Sequence, residues 1–381
     1  MSKTLINSFA KKIIAWHGLH GRQGLPWQGI RDPYAVWVSE IMLQQTQVAT
    51  VIERYPRFIK RFPTVQKLAA APLDDVLAEW SGLGYYSRAR NLHACAKQVM
   101  TQFDGKFPND PILLEQLKGI GRSTAGAIAA FAFHMRAPIL DANVKRILAR
   151  LFGIEEVVQV KAVNDQLWLL AQDLLPKNFQ DMPVYTQALM DFGATWCTFR
   201  KPVCISAERK CPFEKQCQAN LSNQVLQLPR KVIKNKSPEF DCDMLLIRCG
   251  NLVLLERRPD KAIWGGLWSL PESPWRPKSK AGQDSNLKVT ELFNSILPQE
   301  DASALSKFCQ SVERGDKIKH IFTHRRLWVQ IWNVSVADTM QFTGEDLKWV
   351  SLRQLGKYGL PQPIKVLLQA VNLTRGDDPR N

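Results

Sequence analysis

The hydrophobic pattern of this chain changes its period once, near residue 225. Before that point apolar residues recur at the spacing of an α-helix, and Gly or Pro separates the segments. After it, short segments rich in branched and aromatic residues predict strands. Because helices and strands bury their apolar faces differently, we expect a mainly α N-terminal part followed by an α+β C-terminal domain.

The predicted elements follow from this change of period. Helices are predicted over residues 36–48, 76–80, 89–99, 124–133, 144–151 and 168–175. Strands are predicted over 244–248, 253–257, 328–334 and 347–350, with a helix over 363–370. A length of 381 residues suits two or three domains. We therefore expect a helical domain over 1–225, a polar and basic linker over 226–237, a second domain over 238–370 and a frayed tail over 371–381.

The charge balance points to the kind of partner. Lys and Arg total 51 against 35 Asp and Glu, a formal net charge of +16. Duplex DNA is the usual partner of such a surplus, because neutralised phosphates release counterions, although ribosomal, RNA-binding and membrane-surface proteins share it. The N-terminus lacks the apolar core of a signal peptide, and the most apolar stretch, 125–133, is too short to span a bilayer. A cytoplasmic protein without membrane association is expected.

Four of the eight cysteines lie between residues 197 and 217. They are Cys197, Cys204, Cys211 and Cys217, separated by six, six and five residues. In an intracellular chain this grouping indicates a metal site, with zinc and an iron–sulfur cluster as the two candidates. Zinc sites favour C-x2-C pairs, and this segment has none. The other four cysteines are interpreted as apolar filler.

Residues 117–126 carry a more specific motif, LKGIGRSTAG. Gly119 and Gly121 permit a tight turn between two helices, and the second helix is predicted to begin at Ser123 or the next residue. Backbone N–H groups at such a helix start can hold a DNA phosphate without reading sequence. An ordinary helical hairpin has the same pattern. Asp141 follows 18 residues after Ser123, and a helix N-cap is its alternative role.

The hairpin motif followed by this aspartate resembles the helix-hairpin-helix glycosylase superfamily. Three further segments are very similar to its MutY-type adenine DNA glycosylases: LPWQ from Leu25, SEIMLQQTQV from Ser39 and GLGYYSRARN from Gly82. Together with the cysteines, the resemblance runs over most of residues 20–217. It implies a two-lobed helical fold related to that of endonuclease III, with the catalytic cleft between the lobes.

The resemblance implies that Asp141 is catalytic, and with it Glu40. Adenine leaves poorly as an anion, so a general acid should protonate a ring nitrogen while the N-glycosidic bond breaks. Glu40 lies beside Trp37 and Ile41 on a predicted helix, and an apolar setting keeps a carboxyl group protonated. An ionised Asp141 would stabilise the oxocarbenium-like sugar, as in glycoside hydrolysis. A water activated by deprotonated Glu40 would complete the reaction.

Ser123 predicts the subclass of enzyme. In the related endonuclease III type this position is a lysine, whose amine forms a Schiff base with the sugar. A serine cannot form an imine, so the sequence predicts a monofunctional glycosylase that leaves an abasic site. Ser123 and Asn143 are predicted to support the sugar-side carboxylate.

The resemblance also implies residues that contact DNA after the target base has left the stack. They are Leu25 and Trp27 in the adenine pocket, Gln45 and Tyr85 wedged into the duplex, Leu83 near the opposite base, and Gly119 and Gly121 at a phosphate. Core packing is the alternative for Trp27 and Leu83.

For the cysteines the resemblance implies a 4Fe–4S cluster, which the family holds on the pattern C-x6-C-x2-C-x5-C. The first and last intervals match, whereas Cys204 and Cys211 are four residues further apart than in the family. A bulged loop can absorb this difference. The cluster is expected to be structural, positioning basic residues such as Arg200 and Lys210 on phosphate.

The segment WGGLWSLPE from Trp264 resembles the entry to a Nudix fold. A Nudix hydrolase needs a following acidic helix to hold magnesium, and residues 273–284 contain no such run. The second domain is therefore expected to be Nudix-like without the hydrolase site. In the family it recognises 8-oxoguanine opposite the target adenine, and Phe322, Thr323 and His324 match the recognition loop, with Thr in place of Ser. A strand-edge loop with a capping Thr is the alternative.

These expectations combine into one function: a monomer, associated with a bacterial nucleoid, removes adenine mispaired with 8-oxoguanine or guanine from double-stranded DNA. Three other functions stay open. A thymine-glycol or mismatch glycosylase with lyase activity would be trapped on DNA by borohydride. A DNA-scanning module would not depend on Glu40. A nucleotide hydrolase in the second domain would release pyrophosphate in the presence of magnesium.

Overall fold

The computed structural model describes residues 3–206, 209–230, 237–278, 288–322, 324–343 and 346–373. The described residues divide into two compact units, Met1–Ala71 with Arg90–Ile233 and Pro72–Ala89 with Lys234–Asn381. Residues 72–89 thus belong to the second unit, which their helical pattern did not predict. The expected domain boundaries stay a prediction. Residues 231–236 of the expected linker and 374–381 of the expected tail lie outside the described residues.

The described part of the chain before residue 230 is helical and contains no strand, as its period predicts. Its α-helices are α1 (Lys3–His20), α2 (Pro33–Leu43), α3 (Val48–Arg61), α4 (Val65–Ala70), α5 (Leu73–Glu79), α6 (Ser87–Gln102), α7 (Pro111–Glu115), α8 (Arg122–Phe133), α9 (Ala142–Phe152), α10 (Lys161–Asp173), α11 (Met182–Thr195) and α12 (Gln218–Leu221). Across the described ranges of the chain, no helix has both the length and the apolar character needed to cross a membrane.

An Asp-Pro pair starts two of these helices. Asp32 caps α2 by accepting a hydrogen bond from the backbone N–H of Tyr34 at 3.1 Å, and Pro33 takes the first helical position. Asp110 and Pro111 start α7 in the same way. The carboxylate satisfies an N–H that has no partner inside the helix, and proline fits because it has no N–H to satisfy. The cap on α2 therefore sets the start of the helix that carries the candidate acid.

The single helix predicted over 36–48 is wrong, because α2 ends at Leu43 and α3 begins at Val48. In the turn between them Gln45 has φ 56°, a left-handed conformation that residues other than glycine rarely adopt. Nε2 of Gln44 donates a hydrogen bond to Oγ1 of Thr124, 3.3 Å away. The turn contains neither Gly nor Pro, so the pattern carries no sign of the break.

The core of the first unit is built largely from α1, α8, α9, α10 and α11. Phe9 stacks on Phe213 with ring centroids 5.0 Å apart, and Trp16 packs edge-on against Phe192 at 5.0 Å. Burying one such side chain stabilises the fold by about 1.5–3 kcal/mol. The same packing holds α9 and α11, which both contribute side chains to the candidate site.

The second unit is built on a seven-stranded sheet. Its strands are β1 (Glu239–Cys249), β2 (Leu252–Arg257), β3 (Trp268–Ser269), β4 (Arg276–Pro277), β5 (Cys309–Ile321), β6 (Arg326–Val336) and β7 (Leu347–Ser351). The order is β3-β2-β1-β6-β5, with β4 paired to β1 and β7 paired to β2. β1 and β6 are parallel, and the other pairs are antiparallel. The described helices of this part are α13 (Val289–Ile296), α14 (Gln299–Phe308) and α15 (Gln362–Leu373).

Strand β1 is buried on both faces of the sheet. Met244 and Leu246 join the core under α15, and Leu245 and Ile247 join the core under α13 and α14, as alternation along a strand requires. Strand β5 was not predicted from the sequence. It is exposed along most of its length and rich in charged residues, so no apolar alternation indicated it.

Residues 72–89 are held in the second unit by contacts distant in sequence. Asp74 accepts a hydrogen bond from Nε1 of Trp268 at 3.5 Å and pairs with Arg257 at 3.3 Å. Nζ of Lys365 donates to Oγ of Ser81 at 2.9 Å. Such contacts have no local signature, which is why the pattern of the chain did not predict them.

Candidate active site

Helix α2 carries Glu40 to the wall of a concave pocket. The pocket has about 670 Å³ of empty space, open solvent at its mouth included, which is within the range of small-molecule sites. Parts of α1, α2, α8 and α11 and the segment 23–30 form the wall. Its side chains include His17, Trp27, Val36, Glu40, Phe131, Val184 and Gln187.

Burial raises the pKa of the Glu40 carboxyl group to about 8, with a second contribution from the charge of Asp141. The side chain stays partly accessible where it faces the pocket. A carboxyl group with this pKa keeps its proton at neutral pH and can donate it. The charge of Asp141 therefore acts on Glu40, which links the two carboxyl groups electrostatically.

Asp141 caps helix α9. Its Oδ1 accepts a hydrogen bond from the backbone N–H of Val144 at 2.8 Å. Burial raises the pKa of Asp141, while hydrogen bonds from the helix start and the charges of Arg146 and Lys145 oppose that shift. These opposing groups favour the carboxylate form. The N-cap role that the sequence left open is therefore present.

Ser123 and Asn143 both lie close to Asp141. Ser123 is in the first turn of α8, and Asn143 is in the first turn of α9. Oγ of Ser123 accepts a hydrogen bond from the backbone N–H of Leu140 at 3.0 Å. Oδ1 of Asn143 accepts one from Nη2 of Arg146 at 2.8 Å. Ser123 thus holds the backbone directly before Asp141. Asn143 holds the guanidinium group of Arg146, whose charge acts on Asp141.

The predicted turn lies between α7 and α8. Gly119 has φ 79°, and a Cβ there would lie 2.8 Å from Cβ of Asn91, so any side chain would meet both strain and a clash. Gly121 is the N-cap of α8, which begins at Arg122, one residue before the predicted start. The motif therefore forms the hairpin and helix start that the sequence indicated.

Trp27 lines the pocket and is also part of the core. Its ring packs edge-on against Tyr55 with centroids 5.7 Å apart, and 8% of the residue is exposed. Leu25 is half-buried, and its N–H donates to Oε1 of Gln28 at 3.0 Å. The two interpretations of Trp27 that the sequence left open are thus compatible.

The two residues predicted to wedge into DNA share an uncommon backbone conformation. φ is 56° at Gln45 and 45° at Tyr85, and both side chains are exposed. A left-handed residue other than glycine costs about 1–3 kcal/mol, and such strain clusters at functional sites. The two turns therefore hold exposed side chains at an energetic cost.

Leu83 is buried in the second unit, with 4% of its surface exposed. The guanidinium group of Arg88 holds this loop, since Nη2 donates to the carbonyl oxygen of Leu83 at 2.8 Å. The same guanidinium lies 5.7 Å from the ring centroid of Tyr85. Core packing, the alternative role of Leu83, is present in this structure, and its contact with DNA stays a prediction.

The four predicted metal-binding cysteines, Cys197, Cys204, Cys211 and Cys217, line one cavity of the first unit. Its empty space is about 450 Å³ and its wall is mostly apolar. All four are free thiols, and burial raises the pKa of Cys211 to about 12 and of Cys217 to about 11. Among the described residues no group of three or more thiol, imidazole or carboxylate side chains is arranged to hold a metal ion.

Arg150 of α9 holds the cysteine segment, although no motif indicated it. The side chain is 1% exposed, and its guanidinium donates to the carbonyl oxygens of Thr198 at 2.7 Å and Phe199 at 3.1 Å. Nη1 also lies 3.4 Å from Sγ of Cys197. The available sequence signal is an arginine at a position that helical periodicity assigns to the buried face of α9.

In the second unit the turn between β5 and β6 carries Phe322 and His324, whereas Thr323 lies outside the described residues. The two rings stack with centroids 6.1 Å apart. The ring of Trp264 packs on the ring of Phe322 with centroids 6.2 Å apart. The ring of His320 packs edge-on against Phe322 with centroids 4.6 Å apart. Aromatic side chains thus surround Phe322 of the predicted recognition loop.

His17, Phe131, Val184 and Gln187 line the pocket of Glu40, and the sequence indicated none of them. They come from α1, which directly precedes α2, and from α8 and α11, which are distant from it in the chain. Each is one position of an ordinary helix, so no local pattern marks it. Packing of these helices brings the four side chains to the pocket.

Comparisons with known proteins agree with this geometry. Residues 38–172 match the HhH-GPD superfamily of base excision DNA repair proteins, and residues 243–370 match the NUDIX domain. The adenine DNA glycosylase of Buchnera aphidicola subsp. Baizongia pistaciae (strain Bp) is 34% identical over 367 residues, covering 95% of this chain and 96% of that protein. The chain belongs to the adenine DNA glycosylase family.

Further relatives of this adenine DNA glycosylase family member cover most of its length. The adenine DNA glycosylase of Homo sapiens is 31% identical over 386 residues, covering 87% of this chain and 67% of that protein. A solved thermostable thymine-DNA glycosylase is 27% identical with a TM-score of 0.52, covering 58% of this chain and 99% of that chain. The predicted family and the fold class, a helical glycosylase part with a Nudix-like second part, are confirmed.

Proposed function

We propose that this chain flips adenine out of duplex DNA, where it is mispaired with 8-oxoguanine or guanine, and hydrolyses its N-glycosidic bond. The observation that carries the proposal is the pairing of two unlike carboxyl groups. Glu40 faces a pocket with its pKa raised to about 8, and Asp141 caps a helix beside two cations. Carboxyl groups whose environments differ in this way can divide an acid role from a charge-stabilising role.

Glu40 is the proposed general acid. Adenine would enter the pocket between Leu25 and Trp27 with a ring nitrogen facing Glu40, and proton transfer would make it a neutral leaving group. Because burial keeps the carboxyl group protonated up to about pH 8, the proton is present before the bond breaks. Glu40 then becomes a carboxylate that can take a proton from the water attacking the sugar. The acid is thereby restored.

Asp141 is the proposed partner of the positively charged sugar. As the bond breaks the sugar gains oxocarbenium character, and a nearby carboxylate lowers its energy. The charges of Lys145 and Arg146 favour the ionised form of Asp141. Ser123 and Asn143 are proposed to position it, through the backbone before it and the Arg146 side chain after it.

The reaction is proposed to end at an abasic site. The Ser123 hydroxyl oxygen accepts a hydrogen bond from Leu140, and a hydroxyl cannot form the imine on which a lyase depends. Borohydride treatment during the reaction is therefore expected to yield no protein–DNA adduct.

Duplex DNA is the proposed partner, and the net charge of +16 supports it. Gln45 and Tyr85, exposed and left-handed, are proposed to enter the gap that the flipped base leaves. Leu83 is proposed to lie near the opposite base. The turn at Gly119 and Gly121 is proposed to bind a backbone phosphate at the start of α8.

Cys197, Cys204, Cys211 and Cys217 are proposed to hold a 4Fe–4S cluster. The fit rests on the donor set, four free thiols that line one largely apolar cavity. Arg150 supplies a nearby positive charge that favours thiolates. Since zinc sites favour C-x2-C pairs and residues 197–217 contain none, a polynuclear cluster is favoured over zinc. When bound, the cluster would hold the cysteine segment together and take no part in bond cleavage.

Recognition of 8-oxoguanine is proposed for the loop of Phe322, Thr323 and His324. The aromatic side chains around Phe322 offer a surface on which a base can stack. 8-Oxoguanine differs from guanine by a carbonyl group and a ring N–H, so polar contacts to these two groups would discriminate between them.

Single-turnover excision on four duplexes tests the proposal, with adenine placed opposite 8-oxoguanine, guanine, cytosine or thymine. We expect the fastest reaction opposite 8-oxoguanine, a slower one opposite guanine and little excision opposite the pyrimidines. Glu40→Gln is expected to abolish excision and to keep duplex binding. Glu115→Gln, an exposed position on α7, is the matched control. Excision by Glu40→Gln at the wild-type rate contradicts the proposal.

A further inference from the structure

Asp191 of α11 is a fully buried carboxylate with five hydrogen bonds. Its exposed fraction is 0%. Arg22 donates three of them, from its backbone N–H at 2.8 Å, Nε at 2.8 Å and Nη2 at 2.6 Å. The other two come from Nε2 of His17 at 3.2 Å and Nε2 of Gln187 at 2.9 Å. This carboxylate therefore joins α11 to the end of α1 and to the segment that follows it.

Two of the partners of Asp191 belong to the pocket of Glu40. His17 and Gln187 line it directly. Arg22 begins the segment that runs on to Trp27, another lining residue. One carboxylate outside the reacting atoms thus holds three parts of the same wall.

The segment that begins at Arg22 is also secured locally. A Cβ at Gly21 would lie 2.2 Å from Cδ2 of His17, so the backbone passes this imidazole as closely as glycine allows. Gln28 closes the segment, since its Nε2 donates to the carbonyl oxygen of Arg22 at 2.8 Å and its Oε1 accepts from the N–H of Leu25 at 3.0 Å. The link to Asp191 therefore positions the whole segment 21–28.

The charge of Asp191 orients its neighbours. Burial on its own would raise the pKa of Asp191, but hydrogen bonds from His17 and the guanidinium group of Arg22 hold that pKa below its usual value. An ionised carboxylate only accepts hydrogen bonds, so Gln187 must turn its amide nitrogen toward Asp191 and keep its carbonyl oxygen for other contacts. For the same reason the proton of a neutral His17 lies on Nε2.

We propose that Asp191 is a positioning residue of the excision pocket, which holds the segment carrying Leu25 and Trp27 and orients His17 and Gln187 in the pocket wall. The inference rests on the proposed function. Asp191 acts through these side chains, so it affects the bond-breaking rate rather than duplex binding. A misplacement of about 1 Å in a site of this kind can slow the reaction about 100-fold.

Asp191→Asn tests the inference with almost no change of volume. The new amide nitrogen faces donors, so the contacts to Arg22 and Gln187 cannot all form. We expect single-turnover excision to slow by about 10- to 100-fold while the duplex Kd changes less than about twofold. Hydrogen exchange of the amides in 22–28 should become faster. Asp165→Asn, in an exposed pair with Lys161, is the matched control and should change none of these measurements.

Arg22→Gln tests the same contact from the more accessible side, because the Arg22 side chain is 28% exposed. It should slow excision in the same direction, and Arg22→Lys, which keeps the charge and one donor, should recover part of the loss. The double variant with Asp191→Asn should be less than multiplicative, since both substitutions break one contact. If Asp191→Asn does not fold, Arg22→Gln decides the question.

Folded Asp191→Asn and Arg22→Gln variants that excise adenine at the wild-type rate would overturn the inference, and so would an equal loss of duplex affinity and rate. If the wild-type protein excises no adenine from any duplex, the proposed function fails instead. In that case hydrogen exchange of 22–28 still shows whether Asp191 holds the segment.

Discussion

The hydroxyl oxygen of Ser123 accepts a hydrogen bond from the backbone N–H of Leu140, 3.0 Å away and directly before Asp141 in the chain. This contact joins the start of α8 to the start of α9, the two helix starts that carry the hairpin and the carboxylate proposed to face the sugar. The Ser123 hydroxyl therefore contributes to the placement of Asp141. An imine-forming relative would need an amine at this position.

Ser123→Ala removes this acceptor. The N–H of Leu140 is then left without its partner in a partly buried place, which should lower the free energy of unfolding by about 1–2 kcal/mol. Excision should slow by about tenfold, because the backbone before Asp141 loses a contact. Urea unfolding and single-turnover rates measure the two effects. Ser8→Ala, at a half-buried serine whose hydroxyl donates within its own helix α1, is the control, and equal behaviour of the two variants would refute the role of Ser123.

The pH dependence of excision should have two limbs. The rate is expected to fall above about pH 8, where Glu40 loses its proton, because a carboxylate cannot act as the acid. It should also fall on the acid side as Asp141 gains a proton, at a pH above the ordinary aspartate range, because burial raises its pKa. Single-turnover rates across this range measure both limbs. A rate that keeps rising through pH 9 would remove Glu40 from the acid role.

Glu40 should also make folding stability depend on pH. Its pKa is about 8 in the folded chain against an ordinary value of 4.5, so the folded state binds the proton more tightly than the unfolded state. The resulting stabilisation is complete below about pH 4.5 and is lost as the pH rises to about 8, by up to about 1.4 kcal/mol per pH unit. Glu40→Gln should flatten this dependence in urea unfolding. The same slope in both proteins would show that the carboxyl group titrates normally.

Phe322→Ala should reduce discrimination between opposite bases. Stacking of a base on an aromatic ring contributes about 1–3 kcal/mol, so the preference for 8-oxoguanine over guanine should fall at least about fivefold. The ratio of single-turnover rates on the two duplexes measures it. Phe308→Ala, at an exposed phenylalanine at the end of α14, is the control. An unchanged ratio would leave Phe322 without a role in recognition.

Cys211→Ser should prevent assembly of the proposed cluster, because one of four thiolate ligands is lost. The expected result is a fall in iron content and in visible absorbance, together with lower stability of the cysteine segment. Cys309→Ser, at the start of β5, is the control and should keep the iron. Full iron content in Cys211→Ser would show that the middle cysteine interval is not part of the site.

Local sequence patterns were sufficient to predict those elements that are specified by residues close together in the chain. The helical period of residues 124–133 and the strand period of 244–248 each reflect the geometry of a single element, and both are confirmed. The hairpin motif around Gly119 also specifies its own turn, since φ 79° and the close approach of Asn91 exclude larger residues. The family and fold class could be predicted for the same reason.

Long-range packing was needed for the rest. The break between α2 and α3, the placement of 72–89 in the second unit and the exposed strand β5 leave no local sign in the chain. The pocket side chains Gln187 and His17 are ordinary helix positions until Asp191 joins them. The raised pKa of Glu40 likewise depends on burial by several helices. Residue types and their spacing are local properties, whereas burial and charge environment arise from segments that meet after folding.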